Sequence, residues 1–181
     1  MNQSQEIEMI RKWAMPNANT FSIKPIKEEV GLFLKSGKAE GLMIDPFCRN
    51  SPFNPYMDFT NDLDADIKAS HHMDALDFLK TFENDSVSYV LFDPPYSPRQ
   101  VSECYKKLDC TVNMQTTQAS FWSNMKKEIG RIMVNNGCVL TCGWNSGGIG
   151  KKYGFEIERI LLVAHGGWHN DTIVTTERYV K

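Results

Sequence analysis

Apolar and polar positions along the chain alternate between helical and extended rhythms. From Ile26 to Ser36, the residues Ile26, Val30, Leu32, Phe33 and Leu34 recur near helical spacing and Gly37 follows as a stop, which predicts a helix. Leu42 to Ile44 is a short apolar run ending at Asp45-Pro46, the pattern of a buried strand that opens into a loop. A second brief strand fits Tyr56 to Asn61, ending at Asp62, and His72 to Thr81 reads as a turn followed by a short helix. The strongest strand pattern is Ser86 to Phe92, apolar and β-branched, which breaks at Asp93-Pro94-Pro95 because two prolines cannot continue a ladder.

Gln118 to Met133 places Phe121, Trp122, Met125, Ile129, Ile132 and Met133 at helical spacing; Asn136-Gly137 then turns the chain into an apolar strand, Cys138 to Cys142. Phe155 to Val163 and Thr172 to Tyr179 are strand-like runs joined without a helix, which predicts a C-terminal antiparallel hairpin. Alternation of strand and helix implies an α/β chain with a mostly parallel sheet and ligands at the carboxyl ends of its strands. The unusual sequences fall there: Asp45-Pro46-Phe47, Asp62, Asp93-Pro94-Pro95-Tyr96 and Trp144-Asn145-Ser146-Gly147-Gly148.

A length of 181 residues suits one domain. Twenty Lys and Arg against 22 Asp and Glu leave a net charge of -2, so no global basic field marks a polyanionic partner, although a local basic strip would still bind phosphates. Lys106-Lys107, Lys126-Lys127, Lys151-Lys152, Arg159 and Arg178 are candidates for such a strip, or solvated charges. The five cysteines form no CxxC pair and read as reduced packing thiols. His71, His72, His165 and His169 read as solvated loop histidines, with no metal expected. No apolar run suits a membrane span or signal peptide, so the expectation is a cytoplasmic protein without a membrane partner.

Asp93-Pro94-Pro95-Tyr96 carries the most chemical information. A carboxylate at a strand end accepts from a substrate amine, the stiff Pro-Pro backbone can present a carbonyl as a second acceptor, and Tyr96 offers a ring for stacking. The same residues would also make a plain turn with a capping aspartate. In this chain they stand in a context. Phe92 to Tyr96 resembles the catalytic motif of the S-adenosylmethionine-dependent amino-methyltransferases that act on the exocyclic nitrogen of adenine or cytosine. Met43 to Phe47 is similar to that family's first cofactor motif, Asp62 and Asp74 stand where it has its next acids, and Trp13 to Ile26 resembles the segment that completes its cofactor pocket.

The resemblance spans nearly the whole chain and implies a Rossmann-like class I methyltransferase fold, with helices on both faces of the sheet. It implies a single domain, in which residues 1–37 form a cofactor-pocket segment and helix and residues 38–181 form the sheet core. It further implies S-adenosylmethionine held by Trp13, Met15, Pro16, Thr20, Phe21, Asp45, Phe47, Arg49, Asp62, Leu63, Asp74 and Ala75, and catalysis by Asp93, Pro94, Pro95 and Tyr96. Trp144, Asn145, Trp168 and His169 are candidate substrate contacts, because tryptophans stack on bases without sequence preference.

One departure stands out: where the family has Phe-x-Gly-x-Gly, Phe47 is followed by Arg49 and Ser51 in the glycine places. Either the turn is rebuilt, with Arg49 or Asn50 holding the cofactor carboxylate, or the pocket has lost its ligand. The expected activity is methylation of adenine in DNA, as in a compact phage or mobile-element enzyme. RNA methylation, protein glutamine methylation and a catalytically silent nucleic-acid-binding subunit are the alternatives. With no room for a separate recognition domain, target choice would come from loops, from a second copy of the chain or from a recognition partner.

Overall fold

A computed structural model describes residues 6–36, 40–108 and 119–181. Within them the chain runs β1 (Glu8–Trp13), α1 (Lys24–Ser36), β2 (Leu42–Asp45), β3 (Phe59–Thr60), α2 (Ala75–Lys80), β4 (Val87–Phe92), α3 (Pro98–Lys107), α4 (Ala119–Ile132), β5 (Met133–Gly143), β6 (Phe155–Ala164) and β7 (Thr172–Tyr179). Gly37, Gln118 and Cys110, which carried expectations above, lie outside the described residues. The strands form one sheet in the order β1-β6-β7-β5-β4-β2-β3. β7 runs against both its neighbours, β5 and β6, and the other pairs are parallel. This is the mostly parallel sheet with a C-terminal antiparallel pair that the alternation predicted.

Helices cover both faces because the strands are apolar on both faces. β4, between β5 and β2, is buried at every residue. Tyr89 and Leu91 face the layer of α1, where they meet Val30, Phe33 and Leu140. Val90 and Phe92 face the layer of α2 and α4, among Phe78, Met125 and Val139. Strand alternation would send Val87 to the α1 side, yet it joins Val90 and Phe92 because the register shifts between Val87 and Tyr89. Burying each such side chain contributes roughly 1.5–3 kcal/mol. α1 is amphipathic in the expected way, with Ile26, Val30 and Phe33 inward. Its buried Glu29 is paired with Arg159 of β6 at 2.9 Å.

Several expectations are corrected. β1 was not foreseen: Glu-Met-Ile-Arg-Lys-Trp has no apolar run, since an edge strand exposed at nearly every residue has no burial pattern to show. The N-terminal segment is therefore a sheet strand as well as a pocket wall. The strand expected at Tyr56 to Asn61 shrinks to Phe59–Thr60, because Asn54–Tyr56 is a 3-10 turn with proline at its start. α3 was also unforeseen; Ser97 caps it by accepting from the Gln100 N–H at 3.3 Å, and Pro98 occupies its first turn.

Asn136-Gly137 does not separate helix from strand, since β5 begins directly after α4, at Met133. It sits inside β5 as an irregularity, with Asn136 at φ 63°. A Cβ at Gly137 would lie 2.4 Å from the Met133 sulfur and 2.9 Å from the Val134 carbonyl oxygen. Among the described residues no helix is long and apolar enough to cross a membrane.

Candidate active site

The sheet grows in one direction from β2 to β3 and in the other from β4 to β5, so its switch point lies between β2 and β4. At that point the carboxyl-end loops diverge and leave a crevice. A cleft of about 810 Å³ opens there. Pro46, Phe47, Arg49 and Asn50 enter it after β2, and Asp62 and Leu63 after β3. Asp74 and Ala75 enter at the start of α2, and Asp93, Pro94, Pro95 and Tyr96 after β4. Pro16 and Thr20 reach it from the segment before α1, and Trp144, Trp168 and His169 from the loops after β5 and β6.

Most residues singled out in the sequence thus meet in one place. Trp13 and Met15 do not; both are mostly exposed and stand outside the lining. Phe21 is a core residue packed with α1, and Asp45 is fully buried at the end of β2. Asn145 lines a smaller neighbouring cavity instead.

The Asp93 turn is held on several sides. Its carboxylate accepts from the Tyr96 hydroxyl at 2.5 Å and from the Thr20 hydroxyl. The Tyr96 N–H donates to Gln100 Oε1 at 2.6 Å, and Trp122 Nε1 donates to the Pro95 carbonyl at 2.8 Å. Burial pushes the Asp93 carboxyl above its usual range, while the two hydroxyls and the Arg49 guanidinium act to hold it down. Burial and the Asp93 charge push the Tyr96 phenol well up, so it remains a donor. The Tyr96 ring meets Trp144 edge to face, with centroids 5.7 Å apart.

Arg49 answers part of the glycine question. It sits at φ 41°, in the left-handed region, and its N–H donates to Asp62 Oδ2 at 3.0 Å. The turn has kept a backbone conformation that suits glycine, with an arginine in it. Asp62 also accepts from the Asp64 N–H at 2.9 Å. A carboxylate has about four lone-pair sites, so capacity remains for a ligand hydroxyl. Asp74 caps α2 through the Leu76 N–H at 2.9 Å and accepts from the Tyr105 hydroxyl.

Other residues that shape the cleft were missed. Asn61 is buried; its Nδ2 donates to the carbonyls of Pro46 (3.1 Å) and Met73 (3.0 Å), and its Oδ1 accepts from the Met73 N–H (3.1 Å). It ties together the loops that carry Phe47 and Asp74. Its place beside Asp62, at a strand end, was the available signal. His165, expected in solvent, is buried. Its Nδ1 lies 2.8 Å from the Ala14 carbonyl, which only accepts, so Nδ1 carries the proton, and Nε2 lies 2.8 Å from Thr172 Oγ1.

Arg159 and Arg178, candidate phosphate contacts, are taken up by Glu8 and Glu29 and by Glu158 respectively. Among the described residues no group of three His, Cys, Asp or Glu could hold a metal ion, and the cysteines there are free.

These strands in this order, with this reversed β7, make the Rossmann-like class I methyltransferase fold. TrmN from Thermus thermophilus is similar over 87% of this chain and 49% of its own, at 13% identity and TM-score 0.56. A candidate methylase of Haemophilus influenzae is similar over 87% of this chain and 98% of its own, at 10% identity and TM-score 0.54. A candidate methyltransferase of Escherichia coli, YhhF, is similar over 94% of this chain and 93% of its own, at 11% identity and TM-score 0.54. The chain thus spans about half of TrmN and nearly all of the other two. No protein-family model and no curated protein sequence matches this chain.

Proposed function

We propose that the protein is an S-adenosylmethionine-dependent methyltransferase that modifies the exocyclic amine of adenine in DNA. The observation that carries this reading is the position of Asp93: a half-buried carboxylate on a pinned Pro-Pro turn, at the sheet's switch point and beside the rings of Tyr96 and Trp144. The cleft suits the cofactor chemically. Asp62 and Asp74 offer acceptors for ribose hydroxyls and an adenine amine, Leu63, Ile67 and Met73 offer apolar surface for a purine, and Arg49 offers a guanidinium for a carboxylate. Its volume lies within the roughly 300–1,000 Å³ usual for ligand sites. The cofactor supplies an electrophilic methyl group on a sulfonium.

Asp93 and the Pro94 carbonyl accept the two N–H bonds of the substrate amine and orient its nitrogen. As that nitrogen forms its new bond to carbon, it becomes cationic and must lose a proton. A carboxylate whose affinity for protons is raised by burial is suited to take it. Tyr96 sets the Asp93 carboxylate in place, and the Tyr96, Trp144 and Trp168 rings offset the cost of taking a base from its stack, a few kcal/mol. Alignment and fixed acceptors, rather than covalent catalysis, supply the rate.

The test is transfer of a tritiated methyl group to DNA, RNA and protein, followed by digestion and mass spectrometry of the nucleosides. N6-methyladenine in DNA is expected, with at least a hundredfold loss in Asp93→Ala. Label found only in RNA or in a glutamine amide would move the substrate class. Full transfer by Asp93→Ala would refute the mechanism.

A further inference from the structure

A cavity of about 290 Å³ lies on the other side of the Pro94–Tyr96 turn, between α4 and the carboxyl ends of β4 and β5. Pro94, Pro95, Tyr96 and Trp144 border both spaces, but Asp93 and Arg49 border only the large cleft. A base whose amine meets Asp93 therefore occupies the large cleft and leaves the smaller space to something else.

The smaller space has a definite chemistry. Its volume is just below the low end for ligand sites, roughly 300 Å³, which suits a single ring system rather than a cofactor. Tyr96 and Trp144 meet at 71°, making an aromatic corner, and Trp122, anchored on the Pro95 carbonyl, adds a further ring. Thr141, the register partner of Phe92, also borders it. Thr141 is 9% exposed, and its hydroxyl has no hydrogen-bond partner among the described residues. A buried hydroxyl left unpaired costs free energy, and a ligand group that pairs with it recovers that cost. Lys126 contributes an ammonium that already donates to the Gly148 carbonyl.

We propose that this cavity is a second base-binding site, which holds the unstacked nucleobase adjacent to the acceptor adenine on the same strand. The inference rests on the nucleic-acid reading above. Aromatic faces stack on any base, and a hydroxyl and an ammonium can both donate to a ring carbonyl, so the site binds bases that carry one (guanine, thymine, cytosine) better than adenine. Two bases divided by one stiff turn would also give the enzyme a measure of sequence context at the turn itself.

Gly143→Val tests this. Gly143 borders the small cavity and not the cleft, and a Cβ there meets no atom closer than 3.7 Å, so a Cβ is accommodated and the valine methyls would take up part of the space. Fluorescence anisotropy with a labelled single-stranded oligodeoxynucleotide containing one adenine is the readout. Removing the base next to that adenine should weaken binding to the native protein about tenfold. Gly143→Val should bind the intact strand about as weakly, and the two losses should not add. Thr141→Val, which keeps the shape and removes the hydroxyl, should show a smaller loss confined to strands whose neighbouring base carries a ring carbonyl.

Equal binding of intact and abasic strands by the native protein, full additivity with Gly143→Val, or no binding at all would overturn the proposal. The outcomes separate it from the catalytic reading. Base-dependent binding without methyl transfer would sink only the enzyme, whereas methyl transfer indifferent to the neighbouring base would sink only the second site.

Discussion

The Tyr96 hydroxyl donates to the Asp93 carboxylate at 2.5 Å, across the Pro-Pro turn that separates them. The ring was expected as a stacking surface, and its hydroxyl turns out to be a partner of the catalytic candidate itself. A hydrogen bond to a carboxylate favours its charged form, so this contact opposes the upward push of burial on Asp93. Tyr96→Phe keeps the ring and removes the donor. The Asp93 pKa should then rise further, and the acid limb of kcat/KM for methyl transfer should move to higher pH. Profiles of the two proteins that superpose would show that Asp93 is not the group titrating.

Arg49→Gly should act in opposite directions on stability and on affinity. A left-handed conformation costs a non-glycine residue about 1–2 kcal/mol, and glycine's greater freedom when unfolded returns about 0.5–1 of it, so a net gain of up to about 1.5 kcal/mol in denaturant unfolding is expected. If the guanidinium holds the cofactor carboxylate, calorimetric affinity for S-adenosylmethionine should fall at the same time. Stabilisation with unchanged affinity would mean that the arginine does not hold the cofactor.

Asn61→Ala should cost about 2–4 kcal/mol, because it strips bonds from one buried and one half-buried carbonyl and from a half-buried N–H at once. Urea unfolding measures the loss. Asn61→Asp, which keeps the acceptor but loses the donors, should be comparably damaging.

Asp45 predicts a particular pH dependence of stability. Burial holds its carboxyl well above the usual value, aided by the charges of Asp93 and Asp62, with only the Phe47 N–H, at 3.0 Å, favouring ionisation. A group whose folded pKa is raised contributes stability that is present below its unfolded value, about 3.9, and lost as pH rises through its folded value. Thermal midpoints of Asp45→Asn should therefore fall less than those of the native protein as pH is raised from about 4 towards 8. Parallel curves would mean that Asp45 is ionised at no cost.

Much of this arrangement was readable because local patterns and the packed structure agree. β4 is apolar at its centre and ends on two prolines, so its burial and the break after it leave direct marks in the residues. β1 left no such mark: its edge position exposes both faces, and only pairing with β6 makes it a strand. The candidate site shows the same division. Asp62, Asp74 and Asp93 were legible as acids at strand and helix ends, whereas Asn61 and His165 act through bonds to residues 7 to 151 positions away, which no spacing rule connects.

Periodicity, turn residues and the Phe92–Tyr96 motif were thus enough for the fold class, the edge of the sheet where the cleft opens and fifteen of the residues that line it, since each is a property of a few neighbours in the chain. Which face each residue takes, which acids border the cleft and which lie behind it, and what each carboxylate is bonded to were decided by tertiary packing. Asp45 ends β2 and Asp93 directly follows β4, each before a proline, and position at a strand end alone does not say which of them borders the cleft. Burial from every side removed Asp45 from the cleft lining, while the Pro-Pro turn, Thr20 and Tyr96 left Asp93 bordering it.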